Sequence, residues 1–570
     1  MARIRRRPAS PRGRVPALVA AVALAATMSA CTALPLSSPP APFDVSVPDS
    51  DPVELSADGP TADSDPLSLV ADFLLACAAG PNDDFATARL FLSARSAQTW
   101  DPDEQILIYD TASTPVINVS DEGNDSATTV HVTAPAVASV DFSGILTASP
   151  NSEIDASFSL VKENGQWRID APDNAFIVSR ASFAASYQLA NLYFPSTLGD
   201  VLIADPRWYP SRRLTGHLLE GLVNGPRESL EGTVTNAIPG GTSIPSQGIE
   251  TSDRVAKVEL NAALGEDRRA SRLLAWEIAK TLTQDPAVST VELTVSGQKL
   301  PTDDLPHDPS YSIDTRIALE GESIGIMEGL KVVPLAVRAS PGARAQDAAV
   351  SPISRELVAW RDGEDLIAAT IGSDGALGSV SVGDVGAPSI DRFGWVWSAS
   401  KDPQAPIIIL SATGESVPVA VVGEPLDTAT RVAISPDGAR ALVIKGSGDS
   451  ASAMLFAVER NEAGVPLSLT HGETIAGLES GVIDVSWVAS TSVIAARTGE
   501  SEAAGAVSLA SITLGGLSTS SPAPAGTVSV TAGASTSSVC VRTAAETVQC
   551  RSGALWQMLP KGIRDLHFAG

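Results

Sequence analysis

Ala433-Ile434-Ser435-Pro436-Asp437-Gly438-Ala439-Arg440-Ala441-Leu442-Val443-Ile444 reads as two short strands around a tight turn. The proline sets its own φ, the glycine supplies a positive one, and aliphatic runs flank the pair. The same layout stands at Ala349-Val350-Ser351-Pro352-Ile353-Ser354-Arg355-Glu356-Leu357-Val358-Ala359-Trp360. Between the two lies Phe393-Gly394-Trp395-Val396-Trp397-Ser398, and beyond them Asp484-Val485-Ser486-Trp487-Val488. The units recur at roughly 40–50 residues, the period of a four-stranded propeller blade. No long helical periodicity interrupts residues 301–570. That length at that period predicts a β-propeller of about five to seven blades. A pair of β-sandwiches is the alternative.

Upstream the texture changes to α+β, so the whole chain reads as multidomain α+β and all-β. Leu67, Val70, Leu74, Leu75 and Ala78 recur at helical spacing, with Gly80-Pro81 as the expected stop. A second helical stretch is expected from Asp84 to Ala97, leading to Trp100. Strands follow, with Val130, Val132 and Ala134 alternating around polar residues. Asn164-Gly165 between two alternating runs is a strong hairpin signal. Helices first and an antiparallel sheet after predict an NTF2-like α+β domain over 67–185. Over 186–300, Leu214, Leu218, Leu219, Leu222 and Val223 form a helical stripe closed by Asn224-Gly225-Pro226. Strands are expected at 234–238, 255–260 and 290–296, and a second helix at 268–283. This succession predicts one sheet with its helices on one face.

The N-terminus supplies an address. Arg3, Arg5, Arg6, Arg7, Arg12 and Arg14 precede the first acid, Asp44. The apolar run from Val15 to Met28 is too short to span the roughly 30 Å hydrocarbon core as a helix, so residues 1–30 read as an export signal. It ends in Met28-Ser29-Ala30-Cys31, similar to the lipobox of bacterial lipoproteins, in which the cysteine thiol takes a diacylglyceryl group. Cys31 is the lipidation residue on that reading. An ordinary cleaved signal with an incidental cysteine is the alternative. Residues 31–66 then form a tether. From Thr32 to Pro66 there are eight prolines, seven acids and no Lys or Arg, a composition that cannot offset its own ordering entropy. The expected location is the outer face of the cell membrane, held by lipid.

Composition limits the chemistry. The 570 residues carry a formal net charge of -27, which excludes wrapping nucleic acid with clustered cations. Four cysteines rule out a dense disulfide scaffold. Cys540 and Cys550 stand close together near the C-terminus and, in an exported protein, read as a local disulfide that would pin a hairpin in the last blade, with free thiols as the alternative. Cys77 reads as a small buried hydrophobe. Gly321-Glu322-Ser323-Ile324-Gly325 fits the nucleophile-elbow pattern but lies in β-rich sequence, where that pattern carries no catalysis. His131, His217, His307, His471 and His567 stand apart along the chain, with no His-Glu-x-x-His and no Cys-x-x-Cys. The acidic runs Asp121-Glu122-Gly123-Asn124-Asp125 and Asp362-Gly363-Glu364-Asp365 lack the spacing of a calcium loop. The reading is therefore a protein with no catalytic residues, no metal site and no cofactor.

Several stretches resemble a known family. Asn191-Leu192-Tyr193-Phe194 and Val201-Leu202-Ile203-Ala204-Asp205-Pro206-Arg207-Trp208-Tyr209-Pro210 lead into Leu218-Leu219-Glu220-Gly221-Leu222-Val223-Asn224-Gly225-Pro226. That last run is similar to the Leu-Leu-x-Gly-Leu-x-x-Gly-Pro signature of GerMN domains. The order of lipobox, acidic tether, α+β domain, GerMN-like domain and propeller resembles the actinobacterial LpqB lipoprotein family. Within it, Arg207-Trp208 is the feature singled out as exposed. The alternative places Trp208 under the long helix and Arg207 as its cap. The resemblance implies a partner, the extracytoplasmic domain of the sensor kinase MtrB. Binding would modulate the MtrA–MtrB two-component system, with envelope homeostasis and division downstream. The competing reading is a lipoprotein that binds or processes cell-wall glycan or peptide, which predicts facing carboxylates in a cleft.

Overall fold

The computed structural model describes residues 57–570 apart from 125, 150–151, 246–248, 338–340, 373–378, 382–384, 412–413, 427 and 500–505. The signal, Cys31 and most of the tether lie outside the described residues, as does Asp125 of the first acidic run.

The first helix, Pro66–Asp83, opens on Asp65, whose carboxylate accepts from the N–H groups of Leu67 and Ser68 at 3.0 and 3.1 Å. It does not stop at Gly80-Pro81 as the sequence predicts. Pro81 is buried, and the Phe85 ring lies 2.2 Å from where a Cβ on residue 80 would stand, so both residues are consumed by packing. The buried stripe is Leu69, Val70, Phe73, Ala76 and Cys77, while Leu67 and Leu75 are exposed. The helix is apolar on nearly every side, so periodicity misjudged which face turns inward. The helical stretch expected from Asp84 to Ala97 is two single turns, Ala86–Arg89 and Ser96–Thr99. Asp84 and Phe85 both adopt left-handed φ, 57° and 58°, and break the run.

Helix and turns pack on a seven-stranded sheet. Its path runs Gln166–Asp170, Glu153–Glu163, Ala127–Asp141, Gln105–Tyr109, Phe176–Ser179. Val130, Val132 and Ala134 face the core. Asn164 and Gly165 turn the hairpin with φ of 52° and 83°. Phe73 gathers Phe91, Trp100 and Phe158 around it, with ring centroids within 6.2 Å.

The next region holds two sheets, where one is expected. Tyr187–Pro195 and Leu202–Pro210 form a two-stranded ribbon. A four-stranded sheet runs Glu250–Ser252, Val255–Leu260, Thr290–Val295, Gln298–Leu300. Helix Leu214–Asn224 packs on the ribbon, and helix Arg268–Leu282 meets both sheets. Residues 234–238 are not a strand; Val234 makes a single bridge to Ser196. Side chains take the backbone partners instead. Ala237 N–H donates to Glu277, Ile238 N–H to the Asn236 side chain, and Asn236 Nδ2 to the Leu222 carbonyl.

From Arg316 onward, the described residues form six successive sheets of four or five strands. Their leading strands are Arg316–Glu320, Ala345–Val350, Ser389–Ile390, Ala429–Ile434, Val482–Ala489 and Thr527–Ala532, each touching the next. The C-terminal strand Ile563–Phe568 returns to pair antiparallel with Arg316–Glu320 in the first sheet. The region is a propeller, and the ring excludes the sandwich alternative. The two quoted repeats are equivalent hairpins in the second and fourth sheets. Gly321 lies in a hairpin turn and Ser323 begins the following strand, so no strand-to-helix elbow exists there.

Candidate functional site

Two buried charge clusters organise the molecule. The first is built on the strand Leu202–Pro210. Asp205 is fully buried between Arg207, at 2.8 Å, and Arg227. Burial alone would raise the Asp205 carboxyl, but the two guanidinium groups hold it below the ordinary aspartate value. Arg207 also donates to the Gly225 carbonyl at 2.9 Å, capping the end of helix Leu214–Asn224. Arg207 is therefore buried rather than exposed. Trp208 does not pack under that helix. Its ring lies against Phe183 at 4.8 Å, its N–H donates to Gly144 O, and Nε1 donates to Gly515 O of the propeller at 2.7 Å. A Cβ on Gly144 would stand 2.5 Å from Trp208 O, so the first domain can approach only through a glycine. Arg440, from the quoted repeat, reaches across to the Ala204 carbonyl. One strand thus binds all three regions.

A second contact supports the joint. Arg392 grips Asp200 through two bonds of 2.9 Å. The Phe393 ring lies between the guanidinium groups of Arg392 and Arg460, 4.0 and 4.4 Å from its centroid. Beside the joint opens a cleft of about 300 Å³, with Arg227, Arg440, Glu473 and Glu479 among its walls.

The second cluster lies on the propeller axis. A cavity of about 30 Å³ is lined by Ala348, Ser389, Ala433, Ser486, Thr531 and His567, one residue from each sheet. Flanking it, Asp347, Asp565 and His567 bring their ligand atoms within 4.8 Å of one another. The carboxylates are already claimed. Arg361 and Arg542 reach Asp347 at 2.7 and 3.0 Å, and Arg542 Nε lies 3.1 Å from Asp565. A metal ion would have to displace Arg542, so the donor set fits a structural ion network better than a cation site. Burial would raise Asp565, but His567 and Arg542 bring it down to about 2. Burial would lower His567, but Asp565, 3.3 Å away, raises it.

The histidines, read as standing apart, are mostly so. His131 is hydrogen-bonded to Ser157, and His217 stacks on Tyr209. His567 is the exception, because ring closure brings the closing strand Ile563–Phe568 beside Ala345–Val350 of the second sheet. A signal for it exists in the repeat. Asp484 accepts from Val530 N–H and Asp565 from Ala348 N–H, each acid stitching its inner strand to the next sheet. Asp484-Val-Ser-Trp and Asp565-Leu-His-Phe are the same position in two sheets. Asp362 of the second acidic run is bound to Gly342 N–H in a turn. Cys540 and Cys550 face each other across two paired strands and are joined by a disulfide. Cys77 is buried and its thiol is pushed well up by burial.

Among the described residues, no helix is long and apolar enough to cross a membrane. Three family descriptions match in succession. Residues 59–184 match the N-terminal domain of lipoprotein LpqB, 191–301 the "Sporulation and spore germination" (Germane) domain, and 327–566 the LpqB β-propeller domain. Lipoprotein LpqB of Cutibacterium acnes is 24% identical over 76% of this chain and 78% of its own. That of Bifidobacterium longum is 26% identical over 82% and 81%, and that of Mycolicibacterium smegmatis 25% over 84% and 86%. None of the matched families is named for a catalytic activity. The same three domains in the same order, aligned over most of both chains, place this chain in the LpqB lipoprotein family.

Proposed function

We propose that this lipoprotein is a non-enzymatic regulator. On this reading Cys31 carries the lipid, residues 31–66 hold the body off the membrane, and the domains are 67–185 (NTF2-like), 186–300 (GerMN-like) and 301–570. The six sheets are six blades. The partner is the extracytoplasmic domain of an MtrB-like sensor kinase, and binding adjusts signalling through the MtrA–MtrB system in envelope homeostasis and division. The observation that carries the reading is the joint at Asp205. There Trp208 and the Ala204 carbonyl fasten three domains to one another, while the buried carboxylates at the joint and axis are held by arginine and are not free for acid–base chemistry. Rigid presentation of surface is what a binding protein needs.

Calorimetric titration of residues 32–570 against the purified sensor domain tests it. Saturable heat supports the reading, and truncation near residue 301 then locates the surface. No heat, together with no change in sedimentation at high concentration, overturns it and favours the cell-wall ligand reading.

A further inference from the structure

The outer strand of a propeller sheet carries unpaired N–H and C=O groups along its free edge, a template for another chain. Most of the propeller sheets here blunt that edge. The outer strands of the first, third and fifth sheets, Lys331–Pro334, Ser416–Pro418 and Thr519–Pro522, each end in proline, which offers no donor. In the second sheet the outer strand is, among the described residues, the three residues Ser379–Ser381. In the fourth, Pro466–Thr474 is covered by the short parallel strand Ala420–Val421.

The sixth sheet differs. Its outer strand Leu555–Met558 contains no proline and pairs, among the described residues, only with Val548–Ser552. Leu555 is 75% exposed and Met558 57%. Leu559 N–H donates inward to Val548 O. Antiparallel alternation then turns the backbone of 555 and 557 inward and that of Trp556 and Met558 outward. The surroundings are basic in an acidic chain. Arg551 stands across from Trp556 and Lys561 follows the strand, and among the described residues neither pairs with a carboxylate.

We propose that this edge docks an extended, acidic segment of a partner protein, which joins the sixth sheet as a fifth strand. Main-chain bonds to Trp556 and Met558 supply the ladder, Leu555 and Met558 the apolar contacts, and Arg551 and Lys561 the choice of an acidic partner. The inference does not depend on the sensor kinase being that partner.

The test is amide hydrogen exchange on the full chain in detergent, with and without a hexapeptide alternating valine with aspartate or glutamate. Exchange at Trp556 and Met558 is expected to slow by about tenfold or more at saturation. Met558→Pro removes an outward donor without touching the inward ladder and should abolish the protection. Arg551→Glu, which leaves the backbone alone, should weaken binding by about tenfold, and a lysine version of the peptide should not protect. Unchanged exchange at these two amides with millimolar acidic peptide overturns the proposal, as does equal protection by the lysine peptide.

Discussion

Asp565 occupies a place where removing one charge leaves two buried cations to share a single carboxylate, Asp347. Arg542 and His567 both depend on it, and all three are buried or nearly so. Asp565→Asn should therefore cost about 1–3 kcal/mol, read from urea midpoints, because Arg542 and His567 lose their nearer carboxylate and are left to share Asp347. The pH dependence has two limbs. The Asp565 contribution is present above the ordinary aspartate value of 3.8 and is lost as pH falls toward about 2. The His567 contribution is present below 6.5 and is lost as pH rises through its raised value. Denaturation midpoints should peak between these limits. His567→Gln should remove the alkaline decline and keep the acid one. An unaltered alkaline limb in that variant would show that another group titrates there. Neither residue stood out in sequence, since Asp347 and Asp565 come from opposite ends of the propeller.

At the scale of elements, the disulfide and the closing strand divide the work of holding the last sheets. Cys540 and Cys550 clamp adjacent strands of the sixth sheet, and Ile563–Phe568 then crosses to the first. The link closes a loop with a sequence separation of 10, so chain entropy assigns it about 3 kcal/mol. Cys540→Ser with Cys550→Ser should lower the melting temperature of the propeller without opening the ring, because the first-sheet pairing is independent of the sulfurs. Calorimetric scans of the double variant check this. Loss of near-ultraviolet ellipticity already at room temperature would contradict it. Elements with strict alternation were legible: Val255–Leu260, Thr290–Val295 and the Asn164-Gly165 hairpin stand where the pattern puts them. The stretch at 234–238 was not, because the Ala237 donor goes to the side chain of Glu277 and the Ile238 donor to the neighbouring Asn236 side chain, neither to a partner strand.

For the whole molecule, the strand Leu202–Pro210 decides whether the parts move together: Trp208 bonds Gly144 and Gly515, the Ala204 carbonyl takes Arg440, and Asp205 fixes the strand to Arg227 within its own domain. Asp205→Ala leaves Arg207 and Arg227 buried without a counter-charge, at a cost of about 3–5 kcal/mol. Limited proteolysis should then cut between the first 300 residues and the propeller at protease levels that leave the native chain intact. Scattering should show a larger radius of gyration. Intact fragments with unchanged dimensions would mean that Arg392 and Trp208 hold the interface alone.

Local rules were enough for the signature helix closed by Gly225 and the propeller period, because each depends on neighbours within a few residues or on a repeat. The inward face of the first helix, the pairing of Asp347 with Arg542, and the burial of Arg207 depended on contacts between residues tens to hundreds of positions apart. An arginine followed by a tryptophan looks like an exposed recognition pair when read along the chain. In space, Asp205 and the Gly225 carbonyl were waiting for the first, and Phe183 and Gly515 for the second. Which charges meet is a property of chain closure, and closure is set by the packing of whole sheets.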